Sequence, residues 1–272
     1  MAVAGAHPTV VVKLGGEVVG GAQSTKAAEL ARDVVALVEA GSRVIVTHGG
    51  GPQATALSKK LGLEPRMVGG RRITDAATLD VMKMVIAGQV NVNLCAQLRA
   101  AGLRPVGLHD VVRAHKRPPR VTSGAGPDPI DFGHVGDVDD FDLPLVDRVL
   151  DGGWTPVVAC LGHGSDGAVY NINADIVANQ LAGALHADAL VLVTGAPGVL
   201  RDINDPASRI PRLTVEDGKR AIAEGVVSGG MIPKLEESFA ALALGARAIY
   251  IVAGDVARAV REPGAVGTVL VP

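Results

Sequence analysis

The stretch "IVTHGGGPQA", residues 45–54, runs from a β-branched segment ending at Thr47, across three glycines, into a helical pattern after Pro52. Strand, glycine loop and helix in that order are the repeating unit of a parallel sheet. The same order occurs earlier, where "VVVKL" (10–14) is followed by Gly15 and Gly16. Without a side chain, glycine lets main-chain N–H groups approach an anion, and the next helix adds the positive end of its dipole. Each loop reads either as a tight turn or as a phosphate cradle. Neither fits G-x-x-x-x-G-K-[ST] or G-x-G-x-x-G.

Working outward, "TVVVKL" (9–14), "RVIVT" (43–47), "TPVVAC" (155–160), "ALVLVT" (189–194) and "RAIYIV" (247–252) read as buried strands. Between the first two lies "STKAAELARDVVALVEAG", with Leu30, Val34, Leu37 and Val38 on one face and Gly41 as the stop. A second helix, "DAATLDVMKMVIAG", buries Leu79, Met82, Val85 and Ile86 and is expected to end at Gly88. Near-continuous apolar strands joined through helices predict an α/β fold, a mainly parallel sheet covered on both faces. From Val111 to Val138 the periodicity lapses, which predicts a loop or hairpin excursion, and "DLPLVDRVLDGG" (142–153) resumes the alternation. A second lobe is expected to begin near Gly153, giving halves of 1–152 and 153–272.

The chain of 272 residues is 48% hydrophobic but only 2% aromatic, so its core must be built from Ala, Val, Leu and Ile. With 26 basic against 28 acidic residues, the net charge of −2 provides no field for nucleic acid, and the aromatics are too few for base stacking. No apolar run is long enough for a membrane span, and the first residues lack the pattern of a secretory signal. Cys95 and Cys160 form no CxxC pair and read as thiols in a reducing cytoplasm. No histidine spacing of a metal site appears, so turn and surface roles are expected for the histidines. The basic run "RAHKRPPR" (113–120) reads as a solvated loop face, with docking of an acidic partner as the alternative.

Lys13 lies one residue before the end of an otherwise apolar strand, where a buried ammonium is costly unless it faces an anion. Lys234 follows Pro233, a residue suited to the first position of a helix, where a cation opposes the dipole. An anionic ligand would account for it; a solvated tip is the other reading. In "NINADIVANQLAGAL" (171–185) Asn171 and Asn173 precede a helix, and Asp175 falls in its first turn. That acid either stabilises the helix or holds both lysines. Arg72, just before a helix start at Thr74 or Asp75, is placed to grip a carboxylate; the other reading makes either Arg71 or Arg72 an ordinary surface residue.

In order, "VVKLGG", "HGGGP", "GRRITDAATLD", "GQVNVNL", "GHVG", "NINAD", "VTGAPGVL" and "GGMIPK" resemble the amino acid kinase family, over about Val10 to Thr268. Within it, the pattern is similar to the branch that phosphorylates N-acetyl-L-glutamate. The resemblance implies a three-layer α/β/α sandwich, with an amino-acid lobe followed by an ATP lobe. It implies that Lys13 and Lys234 stabilise the phosphoryl group in flight, with Asp175 orienting them. The acylamino acid would meet Gly50, Gly51, Arg72 and Asn171. ATP would meet Gly15, Gly16, Gly49, Thr194, Gly198, Gly230 and Met231, and Mg2+ would be held mainly by the nucleotide phosphates rather than by protein ligands.

Three departures from the family pattern carry expectations. "GLHDVV" (107–112) replaces Gly-Leu-Ser-Gly-x-Asp, which changes the neighbouring loop's contacts. Gly195 stands where aspartate is common, which is expected to alter nucleotide affinity. Few residues precede the first strand, and the ending "REPGAVGTVLVP" lacks the look of an arginine site, so a homodimer insensitive to arginine is expected. Two other functions fit the residues: a kinase for a carrier-protein-linked aminoadipate, and a non-catalytic nucleotide-binding regulator.

Overall fold

The computed structural model describes residues 7–19, 25–121 and 126–272. Of the few residues before the first strand, on which the expectation of an arginine-insensitive homodimer partly rests, 1–6 lie outside the described residues. The chain forms β1 (Thr9–Leu14), α1 (Thr25–Glu39), β2 (Arg43–His48), α2 (Gly51–Lys60) and a short hairpin, β3 (Met67–Val68) with β4 (Arg71–Arg72). Then come α3 (Ala76–Lys83), a π-helical segment (Met84–Val90), α4 (Asn91–Ala100), β5 (Pro105–Leu108), β6 (Val112–Lys116) and β7 (Gly136–Phe141). Next are α5 (Leu143–Asp151), β8 (Thr155–Ala159), β9 (Leu161–His163), β10 (Val169–Asn171), α6 (Ala174–Ala184) and β11 (Ala189–Val193). The last elements are β12 (Arg212–Thr214), α7 (Val215–Ala223), α8 (Met231–Ala243), β13 (Ile249–Val252), α9 (Val256–Arg261) and β14 (Thr268–Val271).

Eight strands form one sheet in the order β12-β14-β13-β11-β1-β2-β8-β5. From β13 to β5 every pairing is parallel; β14 runs antiparallel to β13 and carries β12 with it. Helices α1, α4 and α9 pack together on the sheet, and α6 pairs with α8 in a second layer. Burial on both faces explains why Val10, Val11, Val12 and Leu14 show no alternation. β1 is central, with β2 on one side and β11 on the other, so the strand order reverses beside it. Ligands of open α/β sheets bind at the carboxyl edge at such a switch point, and both glycine loops open there. Among the described residues no helix is long and apolar enough to cross a membrane.

Two local expectations are corrected. The helix expected to stop at Gly88 runs on as a π-helical segment and then α4, ending at Ala100. Gly88 lacks a positive φ, and the apolar stripe continues past it through Val90, Leu94 and Leu98. A helix-interior glycine costs only about 1 kcal/mol relative to alanine, which is less than burial of that stripe returns. Spacings of four residues drift around an α-helix; the wider π turn brings the stripe back to the sheet. The second correction concerns "RAHKRPPR". Residues 112–116 form β6, paired antiparallel with β7 as the hairpin reading allowed, and Arg117 is buried at 4% exposure.

Candidate active site

Lys13 projects from β1 between Thr47 of β2 and Leu192 of β11, and is 7% exposed. Its Nζ lies 2.6 Å from Asp175 Oδ1, while Lys234 Nζ lies 3.1 Å from Oδ2. One carboxylate therefore bridges two ammonium groups brought from positions far apart in the chain. Asn173 is the N-cap of α6, its Oδ1 accepting from Asp175 N at 2.8 Å, which sets Asp175 in the first turn. Burial pushes the Asp175 carboxyl up, but the charges and hydrogen bonds of the two lysines outweigh it and hold the group below the usual aspartate value. Helix α8 begins at Met231, two residues before the expected start, so Lys234 is its fourth residue. Pro233 is tolerated there because the first turn's N–H groups have no helical acceptor.

The two glycine loops touch. A Cβ on Gly16 would lie 2.8 Å from Pro52 Cδ and 3.2 Å from the amide nitrogens of Gly50 and Gly51. A Cβ on Gly50 would strike Ile86 Cδ1 at 2.6 Å. Glycine is needed here for close approach. Gln53 Nε2 donates to Gly16 O at 2.7 Å and ties the loops together. α2 starts at Gly51 with no side-chain cap on its N-terminus, so its first N–H groups are open to an anion. Gly49 N donates to Leu14 O at 3.1 Å and Gly15 N to Val193 O at 3.3 Å, which pins both loops to the ends of the strands.

His48 corrects the expectation of turn and surface histidines. It ends β2 fully buried, with Nδ1 3.0 Å from Gly49 O and Nε2 2.9 Å from Asn91 Nδ2. Nδ1–H donates to the carbonyl and Nε2 accepts from the amide, which requires a neutral ring. Burial lowers its pKa to about 4, against a small opposing effect of the Gly49 carbonyl. His115 and His163 also lie within strands, β6 and β9.

Beside the lysines a cavity of about 250 Å³ is lined by Gly50, Gly51, Arg72, Asn171 and Arg117, among others. Arg72 Nη2 donates to Thr55 Oγ1 at 2.7 Å and to Gly51 O at 3.2 Å, whereas its buried Nη1 has no partner. Burial lowers the Arg72 pKa, as for a cation awaiting a counter-ion. Asn171 lies in β10, its Nδ2 donating to Thr74 Oγ1 at 3.1 Å. Sequence reasoning missed Arg117, because its counter-ion, Asp137, is 20 residues away across the hairpin. Residues 122–125, within that excursion, lie outside the described residues.

A second cavity, about 490 Å³, is lined by Gly198, Leu200, Val226, Val227 and Met231. Gly230 is the N-cap of α8, next to it, without a side-chain cap bond. Thr194 follows β11, and its Oγ1 accepts from Ala196 N at 3.0 Å, which shapes the turn into this cavity. A Cβ on Gly195 would lie 3.6 Å from Glu17 Oε2, so a carboxylate already stands near this position.

The chain matches the profile of the Amino acid kinase family over residues 8–253. It is 58% identical over 270 residues to an acetylglutamate kinase of Anaeromyxobacter dehalogenans (strain 2CP-C), covering 96% of this chain and 99% of that one. An acetylglutamate kinase of Methanopyrus kandleri is 43% identical over 245 residues, covering 89% and 93%. Among solved structures, N-acetylglutamate synthase of Neisseria gonorrhoeae, complexed with coenzyme A and N-acetyl-glutamate, is similar with a TM-score of 0.81 at 23% identity. That likeness covers 97% of this chain and 59% of the other, and at this identity it speaks to the fold alone.

Proposed function

The chain belongs to the amino acid kinase family, and from that premise we propose that it transfers the terminal phosphoryl group of ATP to the side-chain carboxylate of N-acetyl-L-glutamate. The products are N-acetylglutamyl 5-phosphate and ADP, and the reaction belongs to arginine biosynthesis. The observation that carries this reading is Asp175 bridging Lys13 and Lys234 at the carboxyl edge of the sheet, with its neighbours Asn173 and Ala174 lining one cavity and Met231, three residues before Lys234, lining another.

The acceptor carboxylate is ionised at neutral pH, so the reaction needs no general base. Its obstacle is repulsion between the incoming carboxylate and the phosphates. Lys13 and Lys234 offset that charge, and Asp175 holds both ammonium groups in place before the substrates arrive. The open N–H groups of Gly50 and Gly51 face the reacting end of the acceptor, and Arg72 Nη1 takes its other carboxylate. Asn171 contacts the acylamino acid from the neighbouring wall.

The nucleotide half, 153–272, supplies the second cavity, with Gly198 and Met231 beside the nucleoside and the uncapped α8 N-terminus at Gly230 toward the phosphates. Gly15 and Gly16 approach those phosphates from the half comprising 1–152. Mg2+, if held by the nucleotide phosphates, would neutralise part of their charge. Both Asp175 oxygens face lysines, which fits a metal held by nucleotide rather than by this acid. We also assign a homodimer and a cytoplasmic location; free Cys95 and Cys160 accord with the latter.

Trapping the acyl phosphate with hydroxylamine tests the assignment, with N-acetylglutamate, N-acetylaspartate and N-acetyl-aminoadipate offered separately. Hydroxamate formed fastest from N-acetylglutamate is the expected result. No product from any of the three would overturn the reading.

A further inference from the structure

Arg117 is a cation that the reaction above leaves without a role. It is 4% exposed, lines the acceptor cavity, and directs Nε (2.8 Å) and Nη2 (2.6 Å) at one oxygen, Asp137 Oδ1. Nη2 also donates to Gly136 O at 3.3 Å. Its Nη1 makes no hydrogen bond among the described residues. A pairing that served only to join β6 to β7 would be met by an exposed contact such as His115–Asp139 between the same two strands. Holding a guanidinium almost wholly out of solvent is costly unless its charge is matched, and Asp137 engages only its Nε and Nη2 side, which leaves the other side of the group for an anionic ligand.

The placement indicates which ligand group. Arg117 N donates to Val135 O at 2.8 Å, and Val135 bridges Asn171, so these three residues follow one another across one wall of the cavity. Arg72 comes from the β3–β4 hairpin and is held by Thr55 and Gly51. Both arginines thus reach one small cavity from separate elements; Arg72 Nη1 is buried without a partner, and the hydrogen bonds of Arg117 engage only Nε and Nη2. N-acetylglutamate carries one carboxylate toward the lysines and one spectator α-carboxylate. Resting on the acceptor assigned above, we propose that Arg117 is a specificity-determining residue that grips the spectator α-carboxylate together with Arg72, and that Asp137 is its positioning residue.

The test compares N-acetyl-L-glutamate with its α-carboxamide, N-acetyl-L-isoglutamine, by equilibrium binding and initial rates. Arg117→Met keeps the length of the side chain and removes its charge. It should raise Kd and KM for the acid at least about tenfold, the scale of one lost charge-assisted hydrogen bond, with kcat within about threefold. The carboxamide should bind the wild type weakly and lose nothing further in the variant. Arg117→Lys should recover part of the affinity for the acid. An unchanged Kd for the acid, or equal losses for acid and carboxamide, would overturn the proposal. If Arg117→Met fails to fold, Asp137→Asn decides: selective weakening of the acid supports the clamp, and unchanged selectivity overturns it. A wild type that neither binds nor phosphorylates N-acetylglutamate would instead sink the function assigned above.

Discussion

Lys13 could be read from one dimension because it is out of place there: an ammonium within a Val and Leu strand demands an anion. The structure supplies it at 2.6 Å in Asp175, and Lys234 joins from the opposite oxygen. Removing Lys234 takes away a cation aimed at developing charge. Lys234→Ala is therefore expected to lower kcat at least about 100-fold while leaving the thermal midpoint within a few degrees, as checked by hydroxamate yield and a melt. A near-normal rate would remove the residue from the chemistry. Arg117 shows the opposite case. It stands in a run of four Arg and Lys residues and two prolines with His115 and Ala114, and local composition hides the one that turns inward. Its partner lies on the returning strand, and only the hairpin register brings Asp137 to it.

The long helix from Ala76 to Ala100 is the element whose limits the sequence obscured. Gly88 has the look of a stop, yet the stripe of Val90, Leu94 and Leu98 continues beyond it. Since a Cβ at Gly88 would meet nothing within 4 Å, Gly88→Ala should stabilise the protein by about 1 kcal/mol and raise Tm by about 2–4 °C. A drop in Tm would mean that the helix breaks there. At the end of β2, His48 couples its loop to pH. Its folded pKa is about 4 against an ordinary 6.5, so between those values the unfolded chain binds the proton that the folded one refuses. Stability from this group is complete above pH 6.5 and falls as pH drops toward 4, by on the order of 3 kcal/mol. Asp175, held below 3.8, keeps its contribution through that window and loses it only in stronger acid. Melts of wild type and His48→Gln from pH 7 to 4.5 should show the shallower slope in the variant. Parallel slopes would exclude the histidine as the cause.

For the whole molecule, the eight-stranded sheet sets the distances that matter. It aligns the carboxyl ends of β1, β2 and β11, so loops from residues 15, 49 and 194 face one cleft, and α6 and α8 lean over it with Asp175 and Lys234. The outer side of the long helix leaves Met84 51% and Val92 63% exposed, an apolar ridge suited to a second copy of the chain. Light scattering should report a dimer, and Met84→Glu with Val92→Glu should yield a folded monomer; an unchanged mass would place the contact elsewhere. By itself the sequence determined the alternation of buried strands and amphipathic helices, the parallel sheet, the glycine loops at strand ends and the misplaced Lys13. These follow from periodicity and from the cost of burying charge, which act over a few residues. Only the tertiary structure decided that Gly16 abuts Gly50 and Gly51, that Asp175 lies between two lysines, that His48 is buried and that Arg117 enters the acceptor cavity. Such contacts join residues tens to hundreds of positions apart. Their energies depend on packing and register, which no local pattern records.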